Sequence, residues 1–455
     1  MLRRKKWTAA GTLTASGSGP ALRRARYVAG GVTVVGLLAA AAVGSGATGA
    51  AAAVTPGSLD TAYGNGGIAT ASLPQGDGTQ NVALQEPNGD IVVPLSQGVA
   101  RFLPSGQLDP SFGAGGIVSG VFVSSLPAVA AQPDGKIIVS GVNLAEPTFP
   151  QGLTQLNADG TVDTAFGTDG TSASIPAPAP FGSVSSSGAA ALVQPDGKIV
   201  LAGNAFRELG PRGRNSVSEG YVARLNANGS VDATFGTGGL TLLPSPSDRF
   251  PTGLGLDAAG DVFVLPGQSG LGVSSQGGEA ELSPAGQLDA TVTAAPLTAT
   301  SAGYPIDTTN DQFVFSQNEH PSGLKGFIDP EIIRFTTAGT VASDTGLFPF
   351  TGTSLFVQDT VGTVAVLPNG QALAIGSHTL VRATGTTAAT TEFAFARVNP
   401  DGTLDPTFGT GGTALTNLTD SSGGGFFALL PQSDGTVIAV GGTNGNALEL
   451  ARFNL

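Results

Sequence analysis

Over 455 residues, 20 Lys and Arg stand against 33 Asp and Glu, and there is no cysteine. That acidic balance argues against nucleic acid and anionic membranes as general partners. The missing thiols exclude disulfides, thiolate zinc sites and a lipid-attachment cysteine.

The chain opens on a basic leader. Residues 1–53 hold Arg3, Arg4, Lys5, Lys6, Arg23, Arg24 and Arg26, no acidic residue, and an Ala- and Gly-rich apolar run from Tyr27 to Ala53. This is the layout of a cleavable export signal ending near Val54. The Arg23-Arg24 pair leaves the twin-arginine route open, and the length would also allow an uncleaved N-terminal anchor. The remaining residues, 54–455, keep 13 basic against 33 acidic groups, a formal charge of about −20.

From there two patterns recur, which predicts one repeat domain rather than several globular ones. The first is a turn between apolar runs: Pro87-Asn88-Gly89, Pro133-Asp134-Gly135, Pro195-Asp196-Gly197, Ala258-Ala259-Gly260, Thr309-Asn310-Asp311, Pro368-Asn369-Gly370 and Ser433-Asp434-Gly435. Asn-Gly and Asp-Gly suit hairpin turns because both residues tolerate the positive φ a tight turn needs. The second is a strand, a Gly turn, an Asp and, three residues later, an aromatic followed by Gly, as in Arg224 to Gly236. Its rings are Tyr63, Phe112, Phe166, Phe235 and Phe408; Asp289 with Val292 is a weakened copy, and residues 331–346 have lost the ring.

Each unit thus offers four short strands. The expected fold is all-β, a seven-bladed β-propeller of four-stranded antiparallel blades. The seventh unit stops at Leu455, while a last strand placed at Ser58–Gly64 opens the domain, so the N-terminal strand is expected to complete the C-terminal blade and close the ring. Laid on unit three, Leu455 corresponds to Ala227 and Pro56 to Asn228. The motifs resemble those of bacterial delta-60 repeat proteins and, more distantly, NHL-type propellers. The resemblance spans residues 55–455 and implies an exported propeller but no particular activity.

Recurrent polar residues read as scaffold. Arg101 and Asp109, Arg224 and Asp232, and Arg397 and Asp405 are eight apart, which sets them across a hairpin centred on the Gly turn. Asn157 to Asp163 spaces oxygen ligands like a calcium loop, but it lacks the completing acid and is expected to be a turn. No metal site and no cofactor is expected.

Function is therefore sought in non-recurrent residues, most of which follow the second strand of a unit: Asn143 and Glu146, then Asn204, Arg207, Glu208, Arg212, Arg214 and Glu219, then Gln317, Asn318, Glu319, His320 and Lys325, and His378. The candidate binding residues are Arg207, Glu208, Arg212, Arg214, Asn318, Glu319, His320 and His378. With His320 and His378 as the only histidines, a three-His zinc site cannot form, and no nucleophile elbow or phosphate loop is present. The expectation is a secreted or envelope-associated, monomeric, non-catalytic binding module for a glycan, cell-envelope component or protein partner, with no nucleic acid and no membrane contact beyond the leader. The alternative is a hydrolase or lyase on an extracellular polymer or lactone at the channel mouth, using His320, His378 or a loop carboxylate.

Overall fold

A computed structural model describes residues 55–455 except segments 74–81, 121, 124–128, 144–150, 186–189, 209–215, 244–250, 257–258, 267–278, 293–305, 308–311, 320–328, 337–340, 347–349, 351–356, 381–389, 420–424 and 444–446. The proposed leader, Glu146, Arg212, Arg214, His320 and Lys325 lie outside the described residues.

Among the described residues the chain is all strand, without helix, and falls into seven antiparallel sheets. Unit three shows the plan: Ala191–Val193 pairs with Ile199–Glu208, which pairs with Ser216–Leu225, which pairs with Leu240–Leu242. The runs are apolar on both faces because each sheet is covered on both sides. In Ile199-Val200-Leu201-Ala202, alternate side chains enter different clusters, Ile199 and Leu201 toward unit two and Val200 and Ala202 toward unit four. Similar clusters join units one and two, five and six, six and seven, and seven and one. The core therefore lies between neighbouring sheets.

The second pattern builds the joints. Each Asp caps its own turn, with Asp109 Oδ1 accepting from the Ser111 N–H at 2.9 Å and Asp232 Oδ1 from the Thr234 N–H at 3.1 Å. The following ring slides beneath the turn glycine of the next unit, and that close approach is what requires glycine. A Cβ at Gly229, where φ is +83°, would stand 3.0 Å from the Phe166 ring, and one at Gly286, φ +75°, 2.8 Å from Phe235. After Phe112, Phe166 and Phe235 a backbone bond crosses the joint, from the Gly113, Gly167 and Gly236 N–H groups to the Asp159, Asn228 and Ala285 carbonyls, all 2.8 Å. Where the ring is lost the path changes. In unit four Leu288–Val292, and in unit five Val341–Asp344, run straight from the turn into a strand, since no ring has to be delivered to a neighbour.

The N-terminal segment lies against the last unit. Ile68–Ser72 pairs antiparallel with Ala447–Asn454, Ile68 opposite Ala451 and Ser72 opposite Ala447. This corrects the strand placed at 58–64: those residues form the turn and ring, and their one β-bridge to the sheet is Leu59–Phe453. The motif loops out to deliver Tyr63, so its strand starts later, as in units one, three and six. Gly57 N–H donates to the Asn454 carbonyl at 2.8 Å, Asn454 N–H to Ser58 at 2.9 Å and Asp60 N–H to Arg452 at 2.8 Å.

Candidate functional site

The recurrent charges are consumed by the scaffold. Arg101 and Arg224 each donate through Nε to the facing Asp at 2.8 Å, as does Arg397 to Asp405. Their guanidinium carbons sit 4.4 to 4.7 Å from the centroids of Phe112, Phe235 and Phe408, so one cation serves a carboxylate and a ring together. In unit two, where Gln155 replaces the Arg, the Lys136 ammonium takes over the carboxylate of Asp163 at 2.7 Å. Burial pushes the Asp232 carboxyl up, but bonds from Thr234, Lys198 and Arg224 outweigh it and hold the group well below the usual carboxylate range.

The non-recurrent candidates occupy one structural position. The Pro-Asp-Gly turns fix where each second strand starts, and in unit one that strand, Ile91–Pro94, has four residues. In units three, five and six it extends to ten, eight and nine residues as Ile199–Glu208, Gln312–Glu319 and Ala372–Leu380. The extensions carry Arg207 and Glu208 as the last two residues of the first, Asn318 and Glu319 as the last two of the second, and His378 near the end of the third. All five thus lie at the end of the sheets remote from the Pro-Asp-Gly turns. Arg207 is half-buried, and its Nε has no acceptor among the described residues.

His378 is only 4% exposed. It stands opposite Asp359 on Val357–Val366 and opposite Glu392 on Thr390–Val398, which makes a row of acid, imidazole and acid across three strands. Its Nδ1 lies 2.6 Å from Asp359 Oδ1, while Asp359 Oδ2 accepts the Phe350 N–H at 2.9 Å. Burial raises the Asp359 carboxyl above its ordinary range, and the bonds from His378 and Phe350 only partly offset that. The expected rim histidine is therefore an oriented, enclosed one.

Two residues, Asp359 and Glu86, escaped the sequence reading, and Asn204, which it named, is set differently from a loop residue. Asp359 sits between Gln358 and Thr360 in a polar stretch that gives no sign of a partner. Asn204 is fully buried, with neither amide atom hydrogen-bonded. Glu86 is 3% exposed, and neither carboxylate oxygen accepts a hydrogen bond. Comparing units at equal positions is the signal that would have found Glu86, since Gln132 and Gln194 take its place in units two and three. Among the described residues no group of three or more His, Asp or Glu is placed to hold a metal ion.

Repeated four-stranded sheets whose core lies between neighbours define the chain as a β-propeller protein. Residues 132–166, 194–235 and 381–408 match the family described as a domain of unknown function (DUF5122) beta-propeller. Among solved structures, three with distant similarity are these. One is the extracellular domain of the putative one component system BT4673 from B. thetaiotaomicron, 12% identical over 85% of this chain and 40% of that one, TM-score 0.42. Another is an oligogalacturonate lyase in complex with manganese, 11% identical over 84% and 97%, TM-score 0.43. A gluconolactonase from Xanthomonas campestris is 13% identical over 72% and 85%, TM-score 0.32. The chain spans under half the length of the BT4673 domain. No curated protein matches it.

Proposed function

We propose that this protein is an exported binding module of the delta-60 repeat kind, a ring of seven four-stranded blades closed by its own N-terminal strand, that captures an envelope glycan or a protein partner extracellularly. The ligand face is the end of the sheets carrying Arg207, Glu208, Asn318, Glu319 and His378, and the reading adds Arg212, Arg214 and His320, which follow these strands in the sequence. The carrying observation is that the long second strands of units three, five and six lift non-recurrent polar residues to that one end, whereas recurrent charges are paired off inside. Binding residues on repeat scaffolds collect where the fold places no demand on them. A guanidinium at that end, as on Arg207, suits a ligand that supplies an acceptor, such as a carboxylate-bearing sugar. The leader of residues 1–53 supports export.

The test is a glycan array and cell-wall pulldown with residues 54–455, beside a variant with Arg207, Arg212, Arg214, Glu319 and His320 all changed to Ala. Capture by the parent, lost in the variant while its melting temperature stays put, is the expected result. Equal capture by both removes this face as the site. The oriented His378 favours a second reading, a hydrolase or lyase, because a carboxylate-held imidazole is a usable acid or base. Its enclosure beside a 1% exposed Asp359 weighs against direct contact with substrate. Turnover of polyuronates or lactones that His378→Gln abolishes would establish that reading.

A further inference from the structure

Unit one carries acids that units two, three and seven lack; unit four has Asp257 and Asp261 at the same places, but Glu281 where unit one has Arg101. Aligned on the Pro-Asp-Gly turn, the place of Glu86 is taken by Gln132, Gln194 and Gln432 in units two, three and seven, and the place of Asp90 by Lys136 and Lys198 in units two and three. In unit three two cations therefore share one carboxylate, with Arg224 at 2.8 Å and Lys198 at 3.0 Å from Asp232. In unit one three carboxylates share one guanidinium: Asp109 at 2.6 Å, Glu86 at 3.7 Å and Asp90 at 3.9 Å from nitrogens of Arg101.

Arg101 spends its hydrogen bonds on Asp109, through Nε at 2.8 Å and a terminal nitrogen at 2.6 Å. Asp90 is served by the Asn88 amide at 2.8 Å. Glu86 receives no donor at all. Its backbone is nonetheless fixed in the hairpin, its N–H donating to the Asp90 carbonyl at 2.8 Å and its carbonyl accepting from the Gly89 N–H at 2.9 Å. The preceding residue, Gln85, exchanges amide hydrogen bonds with Gln432 of unit seven at 2.9 and 3.2 Å. The hairpin holding Glu86 is thus one half of the seam between the first and last units.

We propose that Glu86, whose carboxyl lies with Arg101 on the face of the hairpin opposite Gln85, is a proton-operated latch on this hairpin, closed while its carboxyl is protonated and loosened when the carboxyl ionises. A buried carboxylate without a hydrogen-bond donor is far costlier than its neutral form. The charged groups acting on it are Arg101, Asp90 and Asp109; unit seven presents the neutral amide of Gln432. Burial, reinforced by Asp90 and Asp109 and opposed by Arg101, raises the group to about 7. The folded protein therefore holds a proton between about 4.5 and 7 that the unfolded chain has released. Stability from this group is complete below that window, falls as pH rises through it, and is gone above it. Units two, three and seven, with Gln at the same place, have no such dependence.

The test compares amide hydrogen exchange at paired positions of the native protein from pH 5 to 8.5. The Glu86 and Gly89 amides are set against their unit-two equivalents Gln132 and Gly135, which make the same backbone bonds at 2.8 and 3.0 Å. After correction for intrinsic base catalysis, protection of the unit-one pair is expected to fall several-fold across neutral pH, with the unit-two pair unchanged. Glu86→Gln should abolish the fall and flatten the dependence of melting temperature on pH in the same window. Parallel behaviour of the two hairpins in the parent overturns the proposal, as does an unchanged pH profile in the variant.

Discussion

The turn of unit three and the turn shared by the chain's two ends have the same bonds and different histories. In unit three the Asn226 N–H donates to the Ser230 carbonyl at 2.8 Å, the Gly229 N–H to Asn226 at 2.9 Å and the Asp232 N–H to Arg224 at 2.9 Å. Between the ends, Asn454 donates to Ser58, Gly57 to Asn454 and Asp60 to Arg452 at 2.9, 2.8 and 2.8 Å. Side chains repeat the match: the Asn226 amide reaches the Ser230 hydroxyl at 2.9 Å and the Asn454 amide that of Ser58 at 3.1 Å. Covalent continuity is therefore not what shapes this turn. What differs is cost, because the local turn closes a few residues while the split one can form only after everything between has folded.

Removing one half sharpens that difference most. Deleting residues 54–72 takes away Tyr63 and the strand covering Ala447–Asn454, and exposes a row of unpaired backbone groups. The loss should exceed the about 3–5 kcal/mol of deleting one buried aromatic, seen as a large drop in melting temperature with aggregation. A truncated chain that melts like the parent would mean that the two ends do not stabilise each other.

Next come the matched ion pairs. Asp232→Ala leaves Arg224 and Lys198 facing each other in a site whose side chains Arg224 and Asp232 are 8% and 6% exposed, and should cost about 3–5 kcal/mol. Asp60→Ala leaves only Arg452, in a site about a fifth exposed, and should cost roughly 1–3 kcal/mol. Denaturant unfolding of both variants checks the order; the reverse order would contradict the burial difference. Asp232 also adds an acid limb opposite in sign to that of Glu86. Its carboxyl is held below the ordinary 3.8 in the folded state, so its contribution is present above that pH and lost as pH falls further.

Asp359→Ala leaves His378 and the Phe350 N–H without this partner, for about 1–3 kcal/mol. Smallest of all should be the five-residue ligand-face variant, within about 0.5 kcal/mol in stability. A large loss there would mean that those residues hold the sheets together rather than wait for a ligand.

Much of the scaffold was legible because it recurs. The separation of eight between Arg and Asp, with the ring three residues beyond, is enough to place cation, carboxylate and aromatic together, and the structure pairs them that way. The strand starting at Ile68 was misplaced because its motif loops outward, a detour visible only once the ring is seen under the next unit. The Asp359–His378 pair was hidden for a subtler reason. A bulge between Val361 and Thr363 shifts the register by one, and without it His378 would face Thr360. A bulge moves side chains to the other face of a strand without leaving a mark in the hydrophobic pattern.

The absence of cysteine allows one measurement to address the joined ends directly. Ser58→Cys with Asn454→Cys puts two thiols where side chains already meet at 3.1 Å, in an otherwise thiol-free chain. Mild oxidation of the native monomer should yield an intramolecular disulfide joining residues 396 apart in sequence, visible as faster migration on a non-reducing gel and absent when the chain is oxidised in denaturant. Free thiols after native oxidation, or cross-links only between molecules, would contradict the pairing of the chain's two ends and with it the proposed closure.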